Sequence, residues 1–374
     1  MMKKKSILFL VTEDWYFVSH RIKLATYLKK KGYNVHVCCK NTGKFKVIED
    51  KGILCHDIEA KRKSLSTIHL FHEVITFFKC IKKINPDIVH LISMRPAVVG
   101  LIASLAFRKI KLFVTFTGLG FIFIRNNSKA KVLRFFIKIF FIIIFRLKFI
   151  TAIVQNNDDY NFFIQKFYFK KNRILIIRGS GIDLKYYKKT NEPKGKNITI
   201  GFVGRMLEDK GVHWLVEGFK MALQEKKNLL LLLAGPLDQE NPTTISKELF
   251  NEIIRMKAVK YLGNVKDVRN IWNKSHIGVL LSKREGLPLS LMEAAAMGRP
   301  IIATDVPGCR EIAINKYNAI TLKPGDIPAL KNAILQLAAD KSLRIKLAKN
   351  SRKIVESDME NKKIFNKYFL IYNF

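Results

Sequence analysis

What most constrains the fold of this chain is a regular alternation of short apolar runs with longer amphipathic stretches, which stops once and then starts again. Apolar runs rich in β-branched residues fall at 6–11, 34–39, 53–58, 87–92, 112–116, 150–155 and 173–177. Between them lie helix-like stretches such as 19–31, 68–84 and 96–106. Runs that are apolar on both faces predict strands covered on both sides, the situation of a parallel sheet flanked by helices. The polar segment 183–197, which carries Pro193 and Gly195, interrupts the pattern and reads as a linker. The alternation then resumes with strands at 198–203, 229–234, 259–262, 277–281 and 300–304. The expectation is an α/β chain with two doubly wound, Rossmann-like domains facing a cleft, 1–182 and 198–355, and a terminal segment 356–374. At 374 residues each domain has length enough for its own core. Ligands of such sheets sit outside the carboxyl ends of the strands, so the loops that follow strands are where chemistry is sought.

Composition narrows the function classes. The five cysteines (Cys38, Cys39, Cys55, Cys80, Cys309) are odd in number and form no C-x-x-C pair, which suits a reducing compartment and no zinc site. His69 and His72 share a helical face without a carboxylate or thiolate set, so no metal is expected. After the basic start, the run 7–11 ends at Thr12-Glu13-Asp14, which fits a first buried strand better than a signal peptide. No stretch reaches the ~18 uncharged apolar residues of a spanning helix, and a cytoplasmic location is expected. The net charge is +37, and between Asp87 and Asp158 there are eleven Lys or Arg and no acidic residue. That block faces something anionic: a lipid surface, a nucleic acid or a phosphorylated substrate.

Three loops of the second half carry what a sugar nucleotide needs. Gly204-Arg205-Met206-Leu207-Glu208-Asp209-Lys210-Gly211 follows the first strand and offers two cations, able to neutralise a diphosphate leaving group without a metal. Taken alone, the pair also reads as two solvated surface cations. After the 277–281 strand comes Lys283-Arg284-Glu285-Gly286-Leu287-Pro288-Leu289, with Pro288 expected as the first helical residue and Gly298 closing the helix. The free N–H groups at that helix start form an anion site. Glu285 before the helix and Glu293 within it can hold hydroxyls; their plain alternatives are a helix-dipole partner and an exposed helix residue. The third loop is Asp305-Val306-Pro307-Gly308-Cys309-Arg310-Glu311, a glycine-containing turn suited to the back wall of a nucleotide site.

Gly204-Arg205 with Lys210, the two glutamates seven residues apart, Gly286-Leu287-Pro288, Pro307-Gly308 and Pro324-Gly325-Asp326 resemble family 4 of the retaining glycosyltransferases, of GT-B fold. The resemblance spans essentially the whole chain. It implies that Arg205 and Lys210 bind the diphosphate and that Glu285 contacts the donor sugar. It further implies that Gly286, Leu287, Pro288 and Leu289 cap sugar and phosphate, that Glu293 holds the ribose, and that Gly263, Asn264 and Val265 meet the base. No cofactor is implied, since the nucleoside-diphosphate sugar, with UDP the expected base, is a substrate. A last helix around 361–372 is implied to cross back onto the first domain.

Many members carry a glycine pair after the first strand; here Thr12 to Ser19, His20 and Arg21 stand instead, and His20 and Arg21 are candidates for acceptor contact, with helix capping or packing by Ser19 and His20 as the alternative. Thr117-Gly118-Leu119-Gly120-Phe121 resembles transferases that extend a sugar on polyprenyl diphosphate, making Thr117 and Gly118 acceptor candidates. Lys129, Lys131, Arg134, Lys138, Arg146 and Lys148 surround the greasy run 135–145, a pattern for a helix lying on an anionic bilayer. The alternative there is a buried helix with basic ends. Together these imply a transferase peripheral on the inner face of the plasma membrane, acting on a lipid-linked glycan. Two rival readings remain: a sugar-nucleotide epimerase of the same architecture, and a basic binding protein without catalysis. Nucleic acid is not expected as a partner, because the aromatics of the basic region cluster with aliphatics instead of being spaced for base stacking.

Overall fold

The computed structural model describes residues 4–58, 67–118, 128–147, 150–239 and 241–373. The chain divides into two units, the first Met1–Ser180 with Phe365–Phe374 and the second Gly181–Ile364.

In the first unit seven strands form one sheet: β1 (Ser6–Glu13), β2 (Asn34–Lys40), β3 (Leu54–Asp57), β4 (Ile88–Ile92), β5 (Lys111–Thr115), β6 (Ile150–Val154) and β7 (Ile174–Ile176). Their order is β3-β2-β1-β4-β5-β6-β7 and every pairing is parallel. The apolar runs are continuous because the inner strands are covered on both faces: Ile7, Leu8, Phe9 and Val11 are all fully buried. β1 lies between Val35 on one side and Ile88 on the other, both opposite Ile7. The order reverses between β1 and β4, so the first unit has its switch point there.

The expected helix 19–31 is instead two helices, Asp14–His20 and Ile22–Lys30, broken at Arg21 (φ −127°, ψ −19°). Ser19 therefore stands near the end of a helix, not at its start, and its Oγ donates to the Trp15 carbonyl at 2.8 Å. The break lets the Arg21 side chain turn inward. The last helix, Asn361–Asn373, brings Tyr368 and Tyr372 into this unit, both fully buried. Tyr372 shares a 2.6 Å hydrogen bond with His90 on β4, and Asn373 accepts from Tyr33 at 3.0 Å.

The second unit has six parallel strands: β8 (Ile198–Val203), β9 (Leu229–Ala234), β10 (Val259–Tyr261), β11 (Ile277–Leu280), β12 (Ile301–Thr304) and β13 (Ala319–Leu322), in the order β10-β9-β8-β11-β12-β13. β13 is one more strand than the sequence pattern predicts; it is an edge strand with Ile320 and Thr321 only half-buried, so it lacks the continuous apolar run of the equally short β11 and β12. Large side chains such as Phe202, Phe219 and Trp272 are fully buried in its core, each contributing about 1.5–3 kcal/mol. The switch point lies between β8 and β11.

The segment 183–197 is not a free linker but lies packed on the second unit. Tyr187 is buried, Arg344 donates to Glu192 at 2.9 Å, and Arg299 donates to the Thr190 hydroxyl and to the Asn191 carbonyl.

Candidate functional site

The loops leaving β8 and β11 meet at the second unit's switch point, and glycine makes the meeting possible. Gly211 has φ +71°, and a Cβ there would lie 2.2 Å from the Leu281 carbonyl oxygen. Gly211 is the N-cap of the helix Val212–Glu225, so the β8 loop can turn back only through this position. The Lys283 amide donates to the Asp209 carbonyl at 2.9 Å, which joins the two loops backbone to backbone.

On this frame Lys210 Nζ donates to Glu285 Oε1. Ser282 Oγ donates to the same oxygen at 2.5 Å. Arg205 Nη1 donates to Asp238 Oδ2 at 2.8 Å. The two cations anticipated from sequence are each paired with a carboxylate. Charge-assisted pairs of this kind position a cation and keep it compensated until an anionic ligand replaces the partner.

The third loop forms the floor beneath Glu285. The Glu285 amide donates to the Pro307 carbonyl at 3.1 Å, and a Cβ on Gly308 (φ +81°) would lie 2.5 Å from the Glu285 carbonyl oxygen. Burial, followed by the nearby Glu285 charge, pushes the Cys309 thiol well up, so it remains neutral. The helix after β11 is Leu289–Ala296, with Pro288 as its N-cap instead of its first helical residue; at ψ 113° Pro288 is still extended. Pro288 itself makes no side-chain capping bond, and the first N–H groups of a helix have no intrahelical acceptor. Gly298 follows the helix at φ +72°, the left-handed closing position.

Glu293 is not the exposed helix residue of the plain reading. It is buried, and Tyr187 Oη donates to its Oε1 at 2.8 Å. Burial, and then the Glu293 charge, raises the Tyr187 phenol, keeping it a hydrogen-bond donor. At the end of β10, Gly263 takes φ +60° with open space on its Cβ side, and its carbonyl accepts from the Gly235 amide at 2.7 Å. Val265 of the same turn packs against the small apolar cluster of Leu232, Ala234 and Ile271. These three loops, a helix N-terminus and two carboxylates at different depths make an arrangement able to take a diphosphate and the hydroxyls on either side of it.

The first unit treats its candidates differently. Arg21 is fully buried, donating to the Tyr368 hydroxyl at 3.2 Å with its guanidinium 5.7 Å from that ring; it is a core residue and not an exposed acceptor contact. His20 is half-buried and lies 4.6 Å from the Tyr16 ring centroid. Thr117 and Gly118 follow β5, and Gly118 has φ +115°. Leu119, Gly120 and Phe121 lie outside the described residues. Of the basic set, Lys131 and Arg146 are exposed on the helix Ser128–Leu147, while Arg134 and Lys138 are half-buried. Lys129 is on that helix with its side chain outside the description, and Lys148 lies outside the described residues. One face of the helix is core, with Phe141, Ile144 and Phe145 buried; the other shows Phe135 60% and Phe136 62% exposed. Among the described residues no helix is long and apolar enough to cross a membrane, and no group of three or more His, Cys, Asp or Glu could hold a metal ion.

Sequence reasoning missed Asp238, Ser282 and Tyr187. Asp238 and Tyr187 are tertiary partners, far along the chain from Arg205 and Glu293, and no local spacing announces them. Ser282 lies three residues before Glu285 and was open to notice as a hydroxyl able to hold that carboxylate.

Two family models match: residues 197–340 match "Glycosyl transferases group 1" and residues 6–157 match "Glycosyl transferase 4-like". The chain is 29% identical over 343 residues to the Campylobacter jejuni N,N'-diacetylbacillosaminyl-diphospho-undecaprenol alpha-1,3-N-acetylgalactosaminyltransferase, covering 88% of this chain and 89% of that protein. It is 25% identical over 338 residues to the Escherichia coli UDP-Gal:alpha-D-GlcNAc-diphosphoundecaprenol alpha-1,3-galactosyltransferase, covering 87% and 85%. Among solved structures, Anabaena HepE in complex with UDP and glucose superposes with a TM-score of 0.78 at 19% identity, over 99% of this chain and 100% of that one.

Proposed function

This chain belongs to the glycosyltransferases, group 1 in its second half and 4-like in its first, and from that premise we propose that it moves a hexose or N-acetylhexosamine from a UDP-sugar to a polyprenyl-diphosphate-linked glycan with retention of configuration. The observation that carries this reading is the meeting of Lys210 and Glu285, delivered by two different loops to the switch point of the second unit. The names of the Campylobacter and Escherichia relatives support an undecaprenyl-diphosphate acceptor, and the second of them a UDP-sugar donor.

Arg205 and Lys210 take the diphosphate, leaving Asp238 and Glu285 as it binds. Glu285 is then free to accept from a hydroxyl of the donor sugar, held in place by Ser282. The N–H groups of Gly286 to Leu289 face the sugar and phosphate, Glu293 takes the ribose, and Gly263, Asn264 and Val265 take the base. A double-displacement path needs a nucleophilic carboxylate about 5 Å from its partner across the reacting carbon. On this reading the reaction is instead a front-face displacement. The bond from the anomeric carbon to the phosphate oxygen breaks as the acceptor oxygen adds on the same side, and the departing phosphate takes the acceptor's proton. Developing charge on the diphosphate is met by the two cations, the role a metal has in other transferases, and transfer is expected to persist in chelator.

Acceptor recognition is assigned to the first unit, with His20, Thr117 and Gly118 as candidates. The exposed apolar face of Ser128–Leu147, flanked by Lys131 and Arg146, supports peripheral association with the anionic inner face of the plasma membrane.

The test is turnover and binding across a panel of UDP- and GDP-sugars, with Glu285→Ala and Arg205→Ala alongside. One donor turned over, both variants silent and an axial-to-axial product stereochemistry by NMR is the expected result. Binding unaltered in the variants, or an inverted linkage, would sink the proposal.

A further inference from the structure

Glu293, assigned above to the ribose, is held by more than its own helix. A buried carboxylate is costly unless hydrogen-bonded, and the Tyr187 hydroxyl supplies a bond at 2.8 Å from 106 residues away in sequence. Tyr187 is itself fixed by its backbone. Arg352 Nη1 donates to the Tyr187 carbonyl at 2.8 Å and to the Ala296 carbonyl at 2.6 Å, so one guanidinium ties the 183–197 segment to the end of the helix that carries Glu293. Beside it the Arg269 guanidinium, held by Asp267, lies 3.8 Å from the centroid of the Tyr186 ring.

A phenylalanine at 187 would fill the same space and pack the same ring. What the hydroxyl adds is an orientation of Glu293. A carboxylate accepts on either of its two oxygens, and the Tyr187 donor on Oε1 constrains which way the group faces. We propose that Tyr187 is a positioning residue for nucleotide recognition, holding Glu293 in the orientation that accepts the 2′- and 3′-hydroxyls of the ribose. The segment between the two sheets thereby becomes part of the donor site. This rests on the reading of Glu293 as the ribose ligand, and the test separates the two.

Calorimetric binding of UDP and of 2′,3′-dideoxy-UDP is measured on the full chain, on Tyr187→Phe and on Glu293→Gln. Wild type should prefer UDP. Y187F should bind UDP about tenfold more weakly, the order expected for one lost hydrogen bond to a charged group, and the dideoxy analogue within about twofold of wild type. In turnover the donor KM should rise while kcat stays within about threefold. The isosteric ring keeps the fold, and a ratio of two affinities is unmoved by a modest loss of stability. If Y187F weakens both ligands equally, the tyrosine serves the fold alone and the proposal falls. If Y187F binds UDP as wild type does while E293Q loses the preference, the positioning role is overturned and the ribose reading stands. If E293Q still prefers UDP as strongly as wild type, the ribose reading itself is wrong.

Discussion

Both units place a switch point beside their first strand, between β1 and β4 in one and between β8 and β11 in the other, and they finish it with opposite chemistry. In the second unit β8 ends in Gly204-Arg205, and the loops that follow interlock through glycines with Lys210 and Glu285 between them. In the first unit β1 runs through Glu13 straight into a helix at Asp14 with no glycine. Asp14 is fully buried and accepts from the amides of Thr42 and Lys44 at 2.8 Å each, hydrogen bonds that hold its carboxyl below the usual range against the effect of burial. Glu13 accepts from the Trp15 indole at 2.7 Å. A strand end carrying two carboxylates repels a diphosphate, whereas one carrying Arg205 and Lys210 attracts it. The same topology brings Arg205 and Lys210 to one strand end and only Glu13 and Asp14 to the other, which supports the proposal that the nucleotide binds the second unit.

The sharpest way to break that contrast is to remove its charges. Lys210→Ala and Glu285→Ala should each lower kcat/KM by about 10²–10³, the scale for losing one preorganised electrostatic group, and the double variant should be clearly worse than either single one because the two meet different parts of the bound donor. Glu13→Ala should cost clearly less; an equal loss there would collapse the distinction between the two faces. The next effect in size belongs to the first unit's surface. Phe135→Ser with Phe136→Ser should reduce co-sedimentation with anionic vesicles by about tenfold to a hundredfold, since complete burial of a ring gives about 1.5–3 kcal/mol and each of these gains only part of it at the interface. Turnover of a short soluble acceptor should be spared. Unchanged sedimentation would mean that the exposed face of Ser128–Leu147 meets something other than lipid.

The two faces were unequally legible in the sequence for a physical reason. Around Arg205, Lys210, Glu285 and Glu293, glycine and proline punctuate the chain where backbones pass close, and such positions tolerate little else; Gly211 and Gly308 are instances. The alternation of apolar runs likewise predicted both parallel sheets, missing only the four-residue β13. What stayed hidden was set by tertiary pairing. Nothing local says that Tyr187, in a polar stretch that reads as a linker, reaches Glu293, or that Asp238 meets Arg205. Arg21, a candidate acceptor contact by sequence, is buried in the core, where it donates to Tyr368, 347 residues further on.

Glycine substitutions probe how tightly the second unit's loops are locked. Gly235 has φ +141°, and a Cβ would come 1.9 Å from the Gly204 carbonyl oxygen, so Gly235→Ala should lose about 2–4 kcal/mol from strain and clash together. Gly43, in the first-unit loop that donates to Asp14, has φ +96° and nothing within 4 Å, so Gly43→Ala meets strain alone, about 1–2 kcal/mol. Melting curves of the two variants give the comparison directly, and equal shifts would show that both switch points are equally constrained.

The smallest effect, and the one that separates the units in solution, is acid sensitivity. His90 is fully buried between Thr115 and Tyr372, and burial, helped by the Arg21 charge, holds it well below its ordinary 6.5. His36, 3.1 Å from His56 across β2 and β3, is pushed down to about 4 by burial and by its neighbour. Groups whose folded pKa is depressed bind a proton in the unfolded chain before they do in the native one. Their contribution is therefore complete above 6.5 and declines as the pH falls through the window below it, at up to about 1.4 kcal/mol per pH unit for a histidine kept fully neutral. In the second unit His213 is half-buried and His276 buried, both are lowered, and Glu208 and Glu192 respectively oppose the shift. The first unit should thus melt earlier as the pH is taken from 6.5 toward 5. His90→Gln should flatten that dependence while lowering stability at neutral pH, since glutamine cannot reproduce both bonds of the ring. A slope unchanged by the substitution would move the acid sensitivity to the His36–His56 pair.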